Sequence, residues 1–341
     1  MTRNGIPRIE SVAPGAAIPS GEVEIRGSGF AMRNNVRPRV RFGEVDGTVT
    51  VCAENYLCAR VPDGAAGGTV QVATAGAESP PHPISLGVMI ADNLHPVANP
   101  AVDAEGNIYA TFSGQRGQRV AVSLYKITAN YTVKPFVTEL MNPTGLALDR
   151  GGALFVSCRH DGTIYRVTPD GRASLWIEGM GTATGLAFDK DDNLYVGDRS
   201  GTIFKISPDR QIFVFATLEP SIAAYHLAFS PDGELFVTGP TTSSFDRVYR
   251  INHAGEVTSF YRGLGRPQGL AFDCGGNAYV AASLGGRRGI VRLTRQGRAE
   301  LVLSGHGVVG MALQATRRAV VATGNALYSL DWDVEGWPLV G

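Results

Sequence analysis

The residues best equipped for chemistry in this chain are histidines and the polar groups beside them. RHDGT at 159–163 sets a cation, Arg159, an imidazole, His160, and a carboxylate, Asp161, side by side. An imidazole titrates near neutrality, so it can serve as base, acid or neutral metal ligand. Asp161-Gly162 is equally ordinary turn chemistry, and DRSGT at 198–202, with Asp198 and Arg199, is a similar turn. His226, preceded by Tyr225, heads the phrase HLAFS. His95 and His306 lie far from both in sequence, so any shared site depends on the scaffold that carries them.

That scaffold is written in a phrase that recurs six times: NPAVD at 99–103, GLALD at 145–149, GLAFD at 185–189, HLAFS at 226–230, GLAFD at 269–273 and GMALQ at 310–314. The copies are 46, 40, 41, 43 and 41 residues apart. A period of this size, with strand-like segments and no helical stripe, predicts a β-propeller of four-stranded repeats. The phrase is strand A, and a turn such as DAEGN, DKDDN or DCGGN leads to strand B. Strand C reads SLYKI, TIYRV, TIFKI, RVYRI, GIVRL or ALYSL, and a less regular strand D follows, as in KPFVTEL at 134–140. Six blades follow from the count. For closure of the ring, VMIADNL at 88–94 and WPLV at 337–340 compete. The likeness of WPLV to KPFV favours the carboxyl terminus, where a proline is tolerable on an outermost strand.

Propeller geometry sends the A–B and C–D turns to one face, and the B–C loops and the links entering strand A to the other. The second face is the expected mouth. It would gather His95, His160, His226 and His306 with Asn99, Asn142, Arg159, Asp161, Asp198, Arg199, Tyr225, Arg266 and Gln268, overhung by the loop SGQRGQR at 113–119. His82 belongs to a linker and His253 to a turn on the opposite face. Polar groups converging on a ring axis suit a small molecule or a metal, although loop residues are polar in any protein. His226 and Asn99 stand out because they replace the glycine that opens the other four copies. Copies one and four are opposite in a ring of six, so these two should face each other across the channel.

Residues 7–86 follow a different grammar. PRIESVAPGAAIPSGEVEIRGSGF, VRFG at 40–43, ARVP at 59–62 and GTVQVATAG at 68–76 are alternating strands punctuated by Gly and Pro, as in a small β-sandwich. Pro7, Ile9, Ser11, Pro14, Gly21, Gly27, Gly29, Phe30, Phe42, Gly43, Val61 and Pro62 fall as in the IPT/TIG family of immunoglobulin-like domains, which this segment resembles. The resemblance implies a spacer or interaction module, through which a protein partner could bind. SPPHP at 79–83 stiffens the exit. The expected division is 1–86 for this sandwich and 87–341 for the propeller. The fold class is therefore all-β, a six-bladed β-propeller with an N-terminal immunoglobulin-like β-sandwich.

The repeats resemble NHL propellers and, more loosely, the superfamily containing the SMP-30/gluconolactonase enzymes. That resemblance covers about 250 residues and implies fold more than function, since such propellers include scaffolds, sensors, lactonases and lyases. The calcium lactonases of this kind take ligands from a Glu entering the first blade, from Asn in NGL-like phrases and from Asp in a DGL-like phrase. The matching positions here hold Ala98, Thr144, Thr184 and Gln268, so that ligand set is largely missing.

Composition narrows the field further. With 43 Gly and 19 Pro among 341 residues, the chain reads as many short strands joined by tight turns. Net charge is zero, so no global field draws the protein to nucleic acid or an anionic membrane. Arg116, Arg119, Arg159, Arg199, Arg287 and Arg288 could still form a local patch, but Asp161, Asp198 and Asp246 beside them argue against nucleic acid. No stretch is apolar enough to span a bilayer and MTRNGIPRIESV lacks the core of a signal peptide, so the chain reads as cytoplasmic, or exported if a leader was removed. Cys52 and Cys58 flank AENYL, where a disulfide is geometrically conceivable, or they are small buried thiols. No GxSxG, P-loop, HExxH or paired CxxC motif occurs. The primary expectation is a propeller that binds a small molecule, sugar or peptide at its axial mouth. The alternative is a metal-dependent hydrolase or lyase with His226 or His160 as general base, the cation being Ca²⁺ or a transition metal.

Overall fold

The computed structural model describes residues 6–32, 36–115, 117–243 and 245–337. Among them there is no helix, and hence none long and apolar enough to cross a membrane. The chain is all-β and arranged like a propeller.

From residue 101 onward each phrase begins an antiparallel sheet whose strands pair in sequence order, A to D. Sheet two illustrates the plan: Pro143–Leu148, Leu154–Cys158, Thr163–Val167 and Ala173–Ile177. Its A and B strands, PTGLAL and LFVSC, are buried at every position, while strand D is largely exposed. The inner strands therefore read as largely apolar runs, with Thr144 and Ser157 as buried polar exceptions, and charge is left to strand C. Sheet three (183–217) and sheet four (226–264) repeat the order, and sheet one (101–137) does so with a short A strand, Ala101–Val102.

Apolar clusters fill the spaces between successive sheets. Phe155 and Phe188 meet between sheets two and three, Tyr195 and Leu227 between three and four, and Phe236 and Phe272 between four and five. The last cluster joins Val320 and Leu327 of sheet six to Ile108 and Ile127 of sheet one. Aromatic rings reinforce these seams edge to face. Phe155 lies 5.1 Å from Trp176 of its own strand D and 5.0 Å from Phe188 of the next strand A. Tyr195, between Phe215 and Phe229, and Phe236, between Phe260 and Phe272, repeat the motif. Such pairs contribute about 0.5–1.5 kcal/mol each beyond the area they bury.

The A–B turns share a polar device. Asp103 accepts the backbone N–H and side-chain amide of Asn107 and the hydroxyl of Tyr109; Asp273 does the same with Asn277 and Tyr279. The phrase ends on Asp because this carboxylate ties the turn to strand B.

The phrase begins on Gly because neighbouring A strands nearly touch at the axis. A Cβ on Gly185 would stand 2.5 Å from the carbonyl oxygen of Tyr225, and one on Gly310 would stand 2.7 Å from the Asn99 nitrogen. Both are distances at which the next strand would have to move.

Closure of the ring corrects the sequence reading. The outermost strand of sheet six is Val88–Ala91, antiparallel to Leu327–Asp331, so the amino-side segment completes the last sheet. The carboxyl-terminal residues turn elsewhere. Gly336 bridges Asp273, and the Trp337 N–H donates to the Phe272 carbonyl, 2.8 Å away. The rest of WPLV lies outside the described residues.

The amino-terminal strands form one eight-stranded arrangement over a core of alternating residues, Val23, Ile25, Val40, Phe42, Leu57, Ala59, Val70 and Val72. Val45–Cys52 pairs with Arg39–Phe42 through its first half and with Tyr56–Arg60 through its second. This module is sewn to the propeller. Ala16–Ala17 runs parallel to Leu303 and Ser304 at the edge of sheet five, and Ser85–Leu86 runs parallel to Ala16–Ala17. Ile18 sits in the core between sheets five and six. Arg287 pairs with Glu24 at 2.5 Å across the seam. All four cysteines are free; Cys52 stands opposite Leu57 while Cys58 stands opposite Val51.

Candidate functional site

A cavity of about 560 Å³ occupies the axis. Its wall is built by the A strands of the first four sheets, and mostly by apolar side chains such as Leu146, Leu186, Phe188, Leu227 and Phe229. Asn99, Gly145, Gly185 and His226, the heads of four copies of the phrase, form its deep end. Its outer rim is made of A–B turn residues 189–191 and 230–233, of Asn252 and His253 from a C–D turn, and of Trp337. Lys190, Asp191, Asp232 and His253 are exposed there. The cavity therefore opens on the turn face, opposite to the mouth the sequence led us to expect, and His253 stands at its edge.

His226 is 3% exposed. Among the described residues its imidazole has no hydrogen-bond partner. Burial, and secondarily the charge of Arg288, push its pKa down to about 3, so the ring is neutral at any ordinary pH. Asn99 has the opposite character. Its amide donates to the Leu270 carbonyl at 2.7 Å, and its side-chain oxygen accepts the Met311 N–H at 3.0 Å. Asn99 thus braces sheet one against the A strands of sheets five and six. Both residues line the same cavity.

Arg288, on strand C of sheet five, closes off the loop-face side of those two sheets. Its guanidinium donates to the carbonyls of Gly265, Arg266 and Val308 and to the side-chain oxygen of Gln268. Every acceptor is neutral. Burial, with the nearby Arg266 charge, lowers its pKa to about 10.

The other candidates lie outside the cavity lining, and the structure gives most of them local partners. His95, beside Phe112, pairs through Nδ1 with the Ser113 carbonyl and is exposed. His160 is exposed near Gly117, and His306 is exposed. Asn142 holds the first-sheet loop by accepting from Gly117 N–H at 2.8 Å and donating to the carbonyls of Gly114 and Gln115. Arg159 reaches the same loop, with Nη2 3.4 Å from the Gly114 carbonyl. Asp161 accepts from Thr163, and Asp198 from Thr182 and Ser200, as turn-capping carboxylates. Arg199 donates to the Ser221 carbonyl, and the buried Tyr225 hydroxyl to the Glu219 carbonyl. Arg116 lies outside the described residues.

The residues do not fit a metal ion. Among those described, no three His, Cys, Asp or Glu side chains converge. At the positions that hold ligands in the calcium lactonases, the Thr144 hydroxyl bonds the Asn142 carbonyl, Thr184 is shared between the Gly197 carbonyl and the Tyr225 N–H, and Gln268 accepts from Arg288. Ala98 offers no donor atom. Sequence reasoning missed Trp337, Phe188 and Phe229 as cavity residues. The last two were visible as the aromatic in LAF, shared by the fifth copy through Phe272 and replaced by Leu or Val in the other three; nothing in the sequence places Trp337 over the rim.

No protein-family model matches the chain, and no curated protein matches it. Solved structures do. A gluconolactonase from Xanthomonas campestris is 18% identical, with a TM-score of 0.60 over 73% of this chain and 89% of that one. An auxiliary nutrient binding protein from Bacteroides thetaiotaomicron is 12% identical, with a TM-score of 0.56 over 96% of this chain and 98% of that one. A catalytically inactive virginiamycin B lyase from Staphylococcus aureus, solved with quinupristin, is 15% identical, with a TM-score of 0.51 over 97% of each chain. At such identities the likeness is one of fold.

Proposed function

We propose that this chain is a six-bladed NHL-type propeller, residues 87–341, preceded by an IPT/TIG-like sandwich, residues 1–86, and that it binds a small molecule in its axial cavity from the turn face. The cavity carries the proposal: about 560 Å³ of mainly apolar space ending in one buried polar group. This is the size and character of a small-molecule site. The same site suits binding better than hydrolysis. A general base works best with a pKa near the operating pH, and an imidazole held at about 3 is a weak base. No divalent cation is assigned a role, since among the described residues no three His, Cys, Asp or Glu side chains converge.

Histidine NMR tests the reading. A mixed small-molecule library is screened by thermal shift, and each hit is added to protein whose imidazole resonances are assigned. Hits should move His226 and His253 and leave His95, His160 and His306 in place. Hits that move only those three would put binding on the loop face and overturn the proposal.

A further inference from the structure

The cavity is chemically lopsided. Its carboxylates, Asp189, Asp191 and Asp232, all belong to turns at the rim, where Lys190 in the same turn and Lys205 also line it and offset part of their charge. At the deep end stands His226, nearly fully buried and without a hydrogen-bond partner among the described residues. The charge that bears on it is that of Arg288, which bonds the side chain of Gln268, whose backbone carbonyl accepts from Thr238, the residue opposite His226 on the next strand. Arg288 donates only to neutral oxygens, and the one charge acting on it is another cation, Arg266. A neutral imidazole offers one donor and one acceptor. The positive field decides which of the two a ligand should use: a group bearing negative charge is favoured beside the imidazole N–H, and an ammonium is repelled.

Resting on the reading of the cavity as a small-molecule site, we propose that its ligands are hydrophobic monocarboxylates that enter carboxylate first and accept a hydrogen bond from His226, with the apolar body against Leu146, Leu186, Phe188 and Leu227. Taking a carboxylate out of water is costly and needs both a donor and a compensating charge. His226 supplies the first by contact. Arg288 supplies the second through space, because its own N–H groups are already engaged. The apolar wall explains why the anion should be carried on a hydrocarbon or aromatic body rather than a sugar.

Three molecules with one skeleton test this: 4-phenylbutyrate, 4-phenylbutanol and 4-phenylbutylamine, titrated calorimetrically into the full chain. The acid should bind at least tenfold more tightly than the alcohol, and the amine should not bind. In His226→Leu the acid should lose at least tenfold while the alcohol stays within threefold; His226→Gln, which keeps a donor, should recover most of the acid's affinity. Alcohol or amine binding as tightly as the acid would overturn the proposal, and this comparison needs no variant to fold. So would acid binding that is indifferent to His226→Leu. If none of the three binds while library hits still move His226 and His253, the carboxylate proposal fails and the cavity reading stands. If no hit moves those histidines, both fail.

Discussion

Asn99 and His226 break the same rule in the same ring, and the structure treats them oppositely. Each puts a polar side chain where four other copies of the phrase use glycine. Asn99 spends its amide on two backbone groups of sheets five and six and becomes part of the frame. His226 lines the same cavity, is more deeply buried than Asn99, and its side chain bonds to nothing described. A satisfied exception is architecture, whereas His226, whose ring nitrogens are not among the fully buried unpaired atoms, keeps its polar atoms open to the cavity. The sidedness of the molecule follows. Sheets five and six are cross-tied at the axis by Asn99 and Arg288, and sheets one to four are left to enclose the cavity.

The contrast can be broken most forcefully at Arg288. Arg288→Met should cost roughly 3 kcal/mol or more in urea unfolding, since the carbonyls of Gly265, Arg266 and Val308 lose their donors together. Asn99→Leu comes next, at about 2 kcal/mol, with stability rather than ligand binding taking the larger loss. A stability rise in either variant would remove the distinction between frame and cavity wall. His226 predicts a pH signature. Its pKa is about 3 in the fold against 6.5 ordinarily, so between those values the unfolded chain takes up a proton that the folded chain refuses. Unfolding free energy should therefore fall as pH drops from 6.5 toward 3, by about 1.4 kcal/mol per pH unit, and stay flat above. A variant lacking His226 should lose this slope. The smallest effect sharpens the comparison best: His226→Gly, which restores the rule, should change stability by no more than about 1 kcal/mol at pH 7.5 while weakening carboxylate ligands of the cavity about tenfold or more.

Repeat spacing made the sheets, their strand order and the two exceptional residues legible, because a period of about forty residues and a buried strand A leave few alternatives. The face on which the cavity opens was not legible. Polar loop residues such as Asn142, Asp198 and Gln268 look like a site in sequence, yet their atoms are consumed by neighbouring backbone and side chains. Turn residues look like filler, yet two of the turns frame the opening. Hydrogen-bond saturation depends on contacts across sheets, and one strand's residue types do not record it. Closure misled for a similar reason: the likeness of WPLV to a D strand was local, whereas pairing was decided by the free edge at Leu327–Asp331 and the segment leaving the module beside it.

That closure gives the molecule a direction in time. Val88–Ala91 is made by the ribosome well over two hundred residues before its partner, Leu327–Asp331. Until then Val88 and Met89, exposed even in the finished fold, sit on a strand with an open edge. The ring cannot be completed sheet by sheet as it emerges and must wait until Leu327–Asp331 has been made. A product released before residue 327 keeps its amino-terminal module but carries an unsealed ring, so limited proteolysis between the two should separate complete from interrupted synthesis.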